Sequence, residues 1–188
     1  MNRARASALS AALVAASFAP VVACTPVTEA YEQIDGPAFG TDGDTFRPVS
    51  SVMEARCGTL DCHGQVARPM RIYGQQGLRG PWMQGGKPPI GYVTNGTEQT
   101  TSDELLANYA AMIGLEPEIT AKVVAGSDPP DDLTLVRKPR LEERHKGGKL
   151  WNENDPGDKC LIKWLTGVKS KATGTLDTSD CTTELQHP

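Results

Sequence analysis

Positive charge, histidine and large apolar residues are all in short supply in this chain. Its 188 residues include 19 Lys and Arg against 23 Asp and Glu, for a formal net charge of -4. That balance argues against a nucleic-acid binder, which presents a basic face. Only 38% of the residues are hydrophobic, while 19 Gly and 14 Pro interrupt the sequence. The composition predicts a loop-rich domain with a small core, of the kind that a bound cofactor or disulfides reinforce. There is no nucleophile elbow, phosphate loop or zinc-protease motif, so the common hydrolase and nucleotide-binding signatures are missing. No second closely spaced cysteine pair is present to complete a four-ligand zinc site.

No apolar run is a convincing membrane span either. Residues 8–22 are small and apolar, but the stretch is too short and too alanine-rich. Behind the positive Asn2-Arg3-Ala4-Arg5 it reads instead as an export signal. It ends in Val21-Val22-Ala23-Cys24, which resembles a bacterial lipobox, with cleavage before Cys24 and lipidation of its thiol. Ordinary signal cleavage near Ala23 is the other reading. Removing Cys24 from the five cysteines leaves an even set of four. Without Arg3 and Arg5 the exported part carries 17 basic and 23 acidic residues, or -6. The predicted organisation is a lipoprotein signal peptide over 1–23, a flexible tether over 24–46, a folded domain over 47–168 and a C-terminal tail over 169–188. The anchored chain would sit at the bacterial cell envelope, on the periplasmic or outer-membrane face. Disulfides persist there and c-type haem is attached there.

Against this sparse background one stretch is dense in reactive side chains: Arg56-Cys57-Gly58-Thr59-Leu60-Asp61-Cys62-His63-Gly64. It contains one of the three histidines. Cys-x-x-Cys-His is the attachment signature of a c-type haem, whose adjacent histidine ligates the iron. Here four residues separate the cysteines instead of two. On an intact helix, positions i and i+5 lie about 140° apart around the axis and about 7.5 Å along it. Cys57 and Cys62 therefore cannot act together, or form a disulfide, unless the backbone leaves the helix between them. Gly58 and Asp61 favour such a turn. Three readings stay open: a covalent haem c, a local Cys57–Cys62 disulfide, and a zinc or other metal site.

The remaining pattern is helical with long breaks. A short helix over 48–56, capped by Ser50 or Ser51, leads into Cys57. Residues 64–100 are irregular, and Tyr73, Trp82 and Tyr92 are placed to line a flat cofactor or to pack a surface loop. Thr101 and Glu104 fit a capping box. It opens a helix that ends near Gly114, with Met112 read as a packing residue. A second helix spans 117–124 and a last one 156–165. Two glycines follow His145 and allow the backbone close to a bulky ligand. A Cys160–Cys181 disulfide would pin the tail to the last helix, contributing roughly 3 kcal/mol in the chain-entropy picture. His187, at the extreme end, is read as solvated.

Two segments together resemble a known family. They are Phe46-Arg47-Pro48-Val49 through Cys57 to Gly64, and Leu135-Val136-Arg137-Lys138-Pro139 through His145-Lys146-Gly147-Gly148 to Cys160-Leu161-Ile162-Lys163-Trp164-Leu165-Thr166-Gly167. The chain is similar over these parts to exported cytochrome c-like domains of myxobacteria and planctomycetes, in which a Cys-x4-Cys-His-Gly form recurs. The resemblance covers about a third of the sequence. It implies a mainly α, small cytochrome c-like helical domain with long irregular loops. One haem c would lie between the first and last helices. Cys57 and Cys62 would bond the haem covalently and His63 would be the proximal iron ligand. His145 is the candidate distal ligand, with Met70, Met83 and Met112 as alternatives. The function expected is that of a monohaem electron carrier, not a catalyst, working with redox or envelope protein partners. The alternative is a haem-free, disulfide-stabilised structural or binding lipoprotein of an envelope assembly. Convergence of His63 and His145 is the feature that separates the two.

Overall fold

Helix α1, Arg47–Arg56, carries the motif at its C-terminal end. Pro48 sits in its first turn, where a missing N–H costs nothing. Phe46 occupies the N-cap position, so the start falls earlier than a Ser50 or Ser51 cap requires. Those two serines lie inside the helix. Ser51 hydroxyl donates to Arg47 carbonyl and Ser50 hydroxyl to the Glu54 carboxylate. Val49, Val52 and Met53 form its buried stripe.

The computed structural model describes residues 35–75, 77–80 and 99–186, all within one compact unit spanning Gln33–Pro188. The leader, Cys24, Trp82, Met83, Tyr92 and His187 lie outside the described residues. Among the described residues the architecture is mainly helical. After α1 come α2 (Ser102–Ile113), α3 (Pro117–Val124), α4 (Thr134–Arg137), α5 (Pro156–Thr166) and α6 (Ser179–Gln186). Extended pairing is limited to two isolated bridges, Tyr73 with Leu78 and Lys169 with Leu176.

The elements follow from local chemistry. Thr101 and Glu104 form the full reciprocal capping box at the start of α2. Pro117 opens α3 and Pro156 opens α5. Gly167, at φ 65°, closes α5 in the left-handed conformation that glycine adopts without penalty. Helix α1 packs against α2, α5 and α6, while α3 and α4 pack on α5. Their shared core contains Phe46, Val52, Met53, Leu105, Met112 and Trp164, each at most 1% exposed. Met112 is therefore a packing residue, as read from the sequence.

Two boundaries differ from expectation. The tether assigned to 24–46 does not extend to its C-terminal end. Phe46 is fully buried, Phe39 and Tyr109 meet edge-on at 5.1 Å, and Trp164 Nε1 donates to Ala38 carbonyl at 3.0 Å. These aromatics give the segment just before α1 a place in the core, which its Gly- and Thr-rich composition conceals. The tail beyond 168 likewise contains a helix, α6. It is held by the Cys160–Cys181 disulfide, with 21 residues of sequence separation. The Glu184 carboxylate reinforces it by accepting from Arg56, Trp151 and Gly157.

Candidate functional site

The backbone leaves α1 at Cys57 and folds back on itself. Gly58 N–H bonds to Met53 carbonyl at 2.9 Å, ending the helix. Cys62 and Gly64 N–H groups both bond to Thr59 carbonyl at 2.9 Å, and His63 N–H reaches Cys57 carbonyl at 2.8 Å. A four-residue spacing is thus closed into a tight loop that places His63 beside Cys57. Gly64 is required by that closure, since a Cβ there would lie 2.2 Å from Gly58 carbonyl oxygen. Cys57 and Cys62 are both free thiols, Cys57 buried and Cys62 half-buried. The local disulfide reading is therefore not realised in this structure.

His63 is fixed from the other side by residues 70–73. Its Nδ1 bonds to Met70 carbonyl at 2.8 Å, and Ile72 N–H bonds to His63 carbonyl at 3.0 Å. That segment is in turn anchored to α2. Buried Asn108 accepts from Tyr73 N–H at 2.7 Å and donates to Tyr73 carbonyl at 2.7 Å. A carbonyl can only accept, so the His63 proton sits on Nδ1 and Nε2 is the nitrogen left with a lone pair.

His145 repeats this arrangement in a different setting. Its Nδ1 bonds to Gly148 carbonyl at 2.8 Å, and Gly148 N–H returns to His145 carbonyl at 3.2 Å. Gly148 has φ +77° and Gly147 lies against the imidazole, where a Cβ would come within 3.0 Å of its Cε1. Both glycines of the His-x-Gly-Gly run are thus explained by the turn that holds the ring. Leu150 N–H bonds to Pro139 carbonyl at 2.8 Å, tying this turn to the end of α4.

The two imidazoles are brought together across the site. Their ring centres are 6.5 Å apart and their planes are 22° from parallel. Two imidazole–metal bonds of about 2 Å, plus roughly 1 Å from each nitrogen to its ring centre, would put the centres about 6 Å apart. The observed separation falls in that distance range, with the two rings near-parallel and stacked.

Both rings line an apolar cavity of about 240 Å³, together with Met53, Cys57, Met70, Leu115, Leu135 and Pro139. Both also line a wider cleft of about 820 Å³ with Cys62, Arg68, Lys138, Arg144 and Lys146. The apolar wall has electrostatic consequences. Burial pushes the Cys57 thiol up to about 12, with the neighbouring Cys62 adding to the effect and Arg56 opposing it. Such a thiol is protonated at neutral pH, unlike the low-pKa cysteine of a redox dithiol. Burial also lowers His63, against the Met70 hydrogen bond that raises it. The nearby His145, Arg68 and Lys138 lower it further. The His63 ring is accordingly held neutral, the form that ligates a metal.

Among the described residues no group of three or more His, Cys, Asp or Glu is arranged to hold a metal ion. A zinc site of the usual composition therefore finds no support there. Met70 lines the apolar cavity and Met112 does not. Leu135, Lys138 and Pro139 belong to the sequence segment that carries the family resemblance. Arg68, Leu115 and Thr134 carried no sequence signal, since only the fold brings them to the site. No protein-family model, curated protein or solved structure matches this chain.

Proposed function

We propose that this chain is a monohaem c-type cytochrome-like lipoprotein that transfers electrons at the bacterial cell envelope. The observation that carries the reading is the His63–His145 pair. Each Nδ1 is occupied by a backbone carbonyl, and the ring separation of 6.5 Å suits one metal. Backbone or carboxylate bonds of this kind orient metal-bound imidazoles and fix their tautomer. A haem needs only two axial protein ligands, so the donor set fits it. The cysteines fit as well: Cys57 lines the apolar cavity and Cys62 the adjoining cleft, with His63 common to both. When held by Cys57, Cys62, His63 and His145, the haem would supply a one-electron iron couple suited to electron transfer.

The chain's own residues do the rest. Cys57 and Cys62 would tether the group through thioethers. Met53, Leu115 and Leu135 line the apolar cavity beside His63, and the Met70 carbonyl orients His63. The lipidated Cys24 would hold the domain at a membrane, within reach of redox or envelope partners.

The test is an optical and electron-spin-resonance spectrum of the protein made with a c-type maturation system. The expected spectrum is low-spin, and His145→Ala should convert it to high-spin while leaving the haem covalently attached. A high-spin wild type, or a His145→Ala spectrum identical to it, would remove His145 as the distal ligand.

A further inference from the structure

The chain is acidic, yet the opening beside the two histidines is basic. Arg68, Lys138, Arg144 and Lys146 line the cleft of about 820 Å³, against a single acid, Asp61. These four differ in how far their charge is already committed. Lys138 pairs with Glu143 at 3.1 Å, and Arg68 donates to Cys62 carbonyl at 2.9 Å. Both also line the apolar cavity. Arg144 and Lys146 line the outer cleft alone, are exposed, and form no ion pair with another described residue. They flank His145 directly in sequence.

We infer that Arg144 and Lys146 form the docking point for an acidic face of a protein partner, positioned over the His145 side of the site. This rests on the electron-transfer reading. Charge complementarity argues for the occupant. A local excess of cations on a chain of net charge -4 attracts an acidic surface while the rest of the molecule repels it, which fixes orientation as well as encounter rate. The breadth of the cleft, the acid at its rim and the exposed apolar Leu60 in the adjoining loop, 59% accessible, suit a mixed protein surface better than a compact phosphate headgroup. Docking there brings a partner to the cleft that His63 and His145 both line and shortens the path for an electron.

The experiment uses the full chain and poly-L-glutamate as the acidic probe, with binding read by calorimetry at about 20 mM and about 200 mM salt. Three proteins are compared: wild type, Arg144→Gln/Lys146→Gln, and a control Lys169→Gln/Lys171→Gln with the same change in net charge on exposed tail residues. The expected result is salt-sensitive binding by wild type and by the control, and binding on the order of tenfold weaker for the Arg144/Lys146 variant. No binding, or equal loss in both variants, would overturn the docking point. So would a cleft that binds phosphatidylglycerol vesicles but not polyglutamate. Because the readout does not use haem absorbance, a chain found to lack haem would defeat the electron-transfer reading without being mistaken for failure of docking.

Discussion

At the scale of single residues, the His63 and His145 rings lie 6.5 Å apart, and α1 also carries a half-buried carboxylate, Glu54, outside that site. Glu54 accepts from Thr100 hydroxyl at 2.6 Å and from Ser50 hydroxyl at 2.8 Å. Burial raises its pKa above the ordinary 4.5, the two hydroxyl bonds oppose that shift, and Glu104 adds to it. Between the unfolded and folded values the folded chain keeps a proton that the unfolded chain has released. Stability therefore falls as pH rises through that window and stays at the lower level above it. Glu54→Gln should flatten the decline between pH 4.5 and neutrality and be no less stable than wild type at neutral pH. Denaturant titrations across that range check this, and an unchanged slope would contradict it. The sequence marked His63 through its neighbouring cysteines and His145 through its trailing glycines. It gave no sign of Glu54, because its half-buried setting is defined by Ser50, Thr100 and Glu104, which come together only in three dimensions.

At the scale of elements, α1 and α5 meet α6 through the buried Glu184, which is 6% exposed. Its carboxylate accepts from Arg56 Nε at 2.6 Å, Trp151 Nε1 at 3.0 Å and Gly157 N–H at 3.1 Å. Glu184→Ala removes the shared acceptor of these three donors and should cost roughly 3 kcal/mol. Removal of the disulfide by Cys181→Ser should cost about 3 kcal/mol by the loop-closure estimate. Both losses are measurable by denaturant unfolding, and neither should move the histidines, which are anchored by residues 70–73 and 148. The helices with sharp local signals, α2 with its capping box and α3 with its first-turn proline, were legible in the sequence. Helix α6 was not. Asp180, Thr182 and Thr183 have little helix propensity, and packing of Cys181 and Glu184 against α5 supplies what propensity does not.

At the scale of the whole molecule, a modest core is assembled around one loop. The motif turn, residues 70–73 and the 145–148 turn each approach the site from a different element, and each is held by backbone hydrogen bonds. Within the motif turn, the Cys62 and Gly64 N–H groups both bond to Thr59 carbonyl, closing the loop between the two cysteines. The mainly helical fold could be read from apolar periodicity and caps. The facing of His63 and His145 could only be posed as a question there, since 82 positions of sequence separate them. The most direct test is the intact mass of the denatured protein purified from its native source, beside Cys57→Ser and Cys62→Ser variants. The expected mass is that of the lipidated chain from Cys24 plus one haem, with the linkage weakened to one thioether in each variant and haem released on denaturation when both cysteines are replaced. A mass lacking the haem increment, once processing, lipid and disulfide hydrogens are counted, would contradict the haem reading.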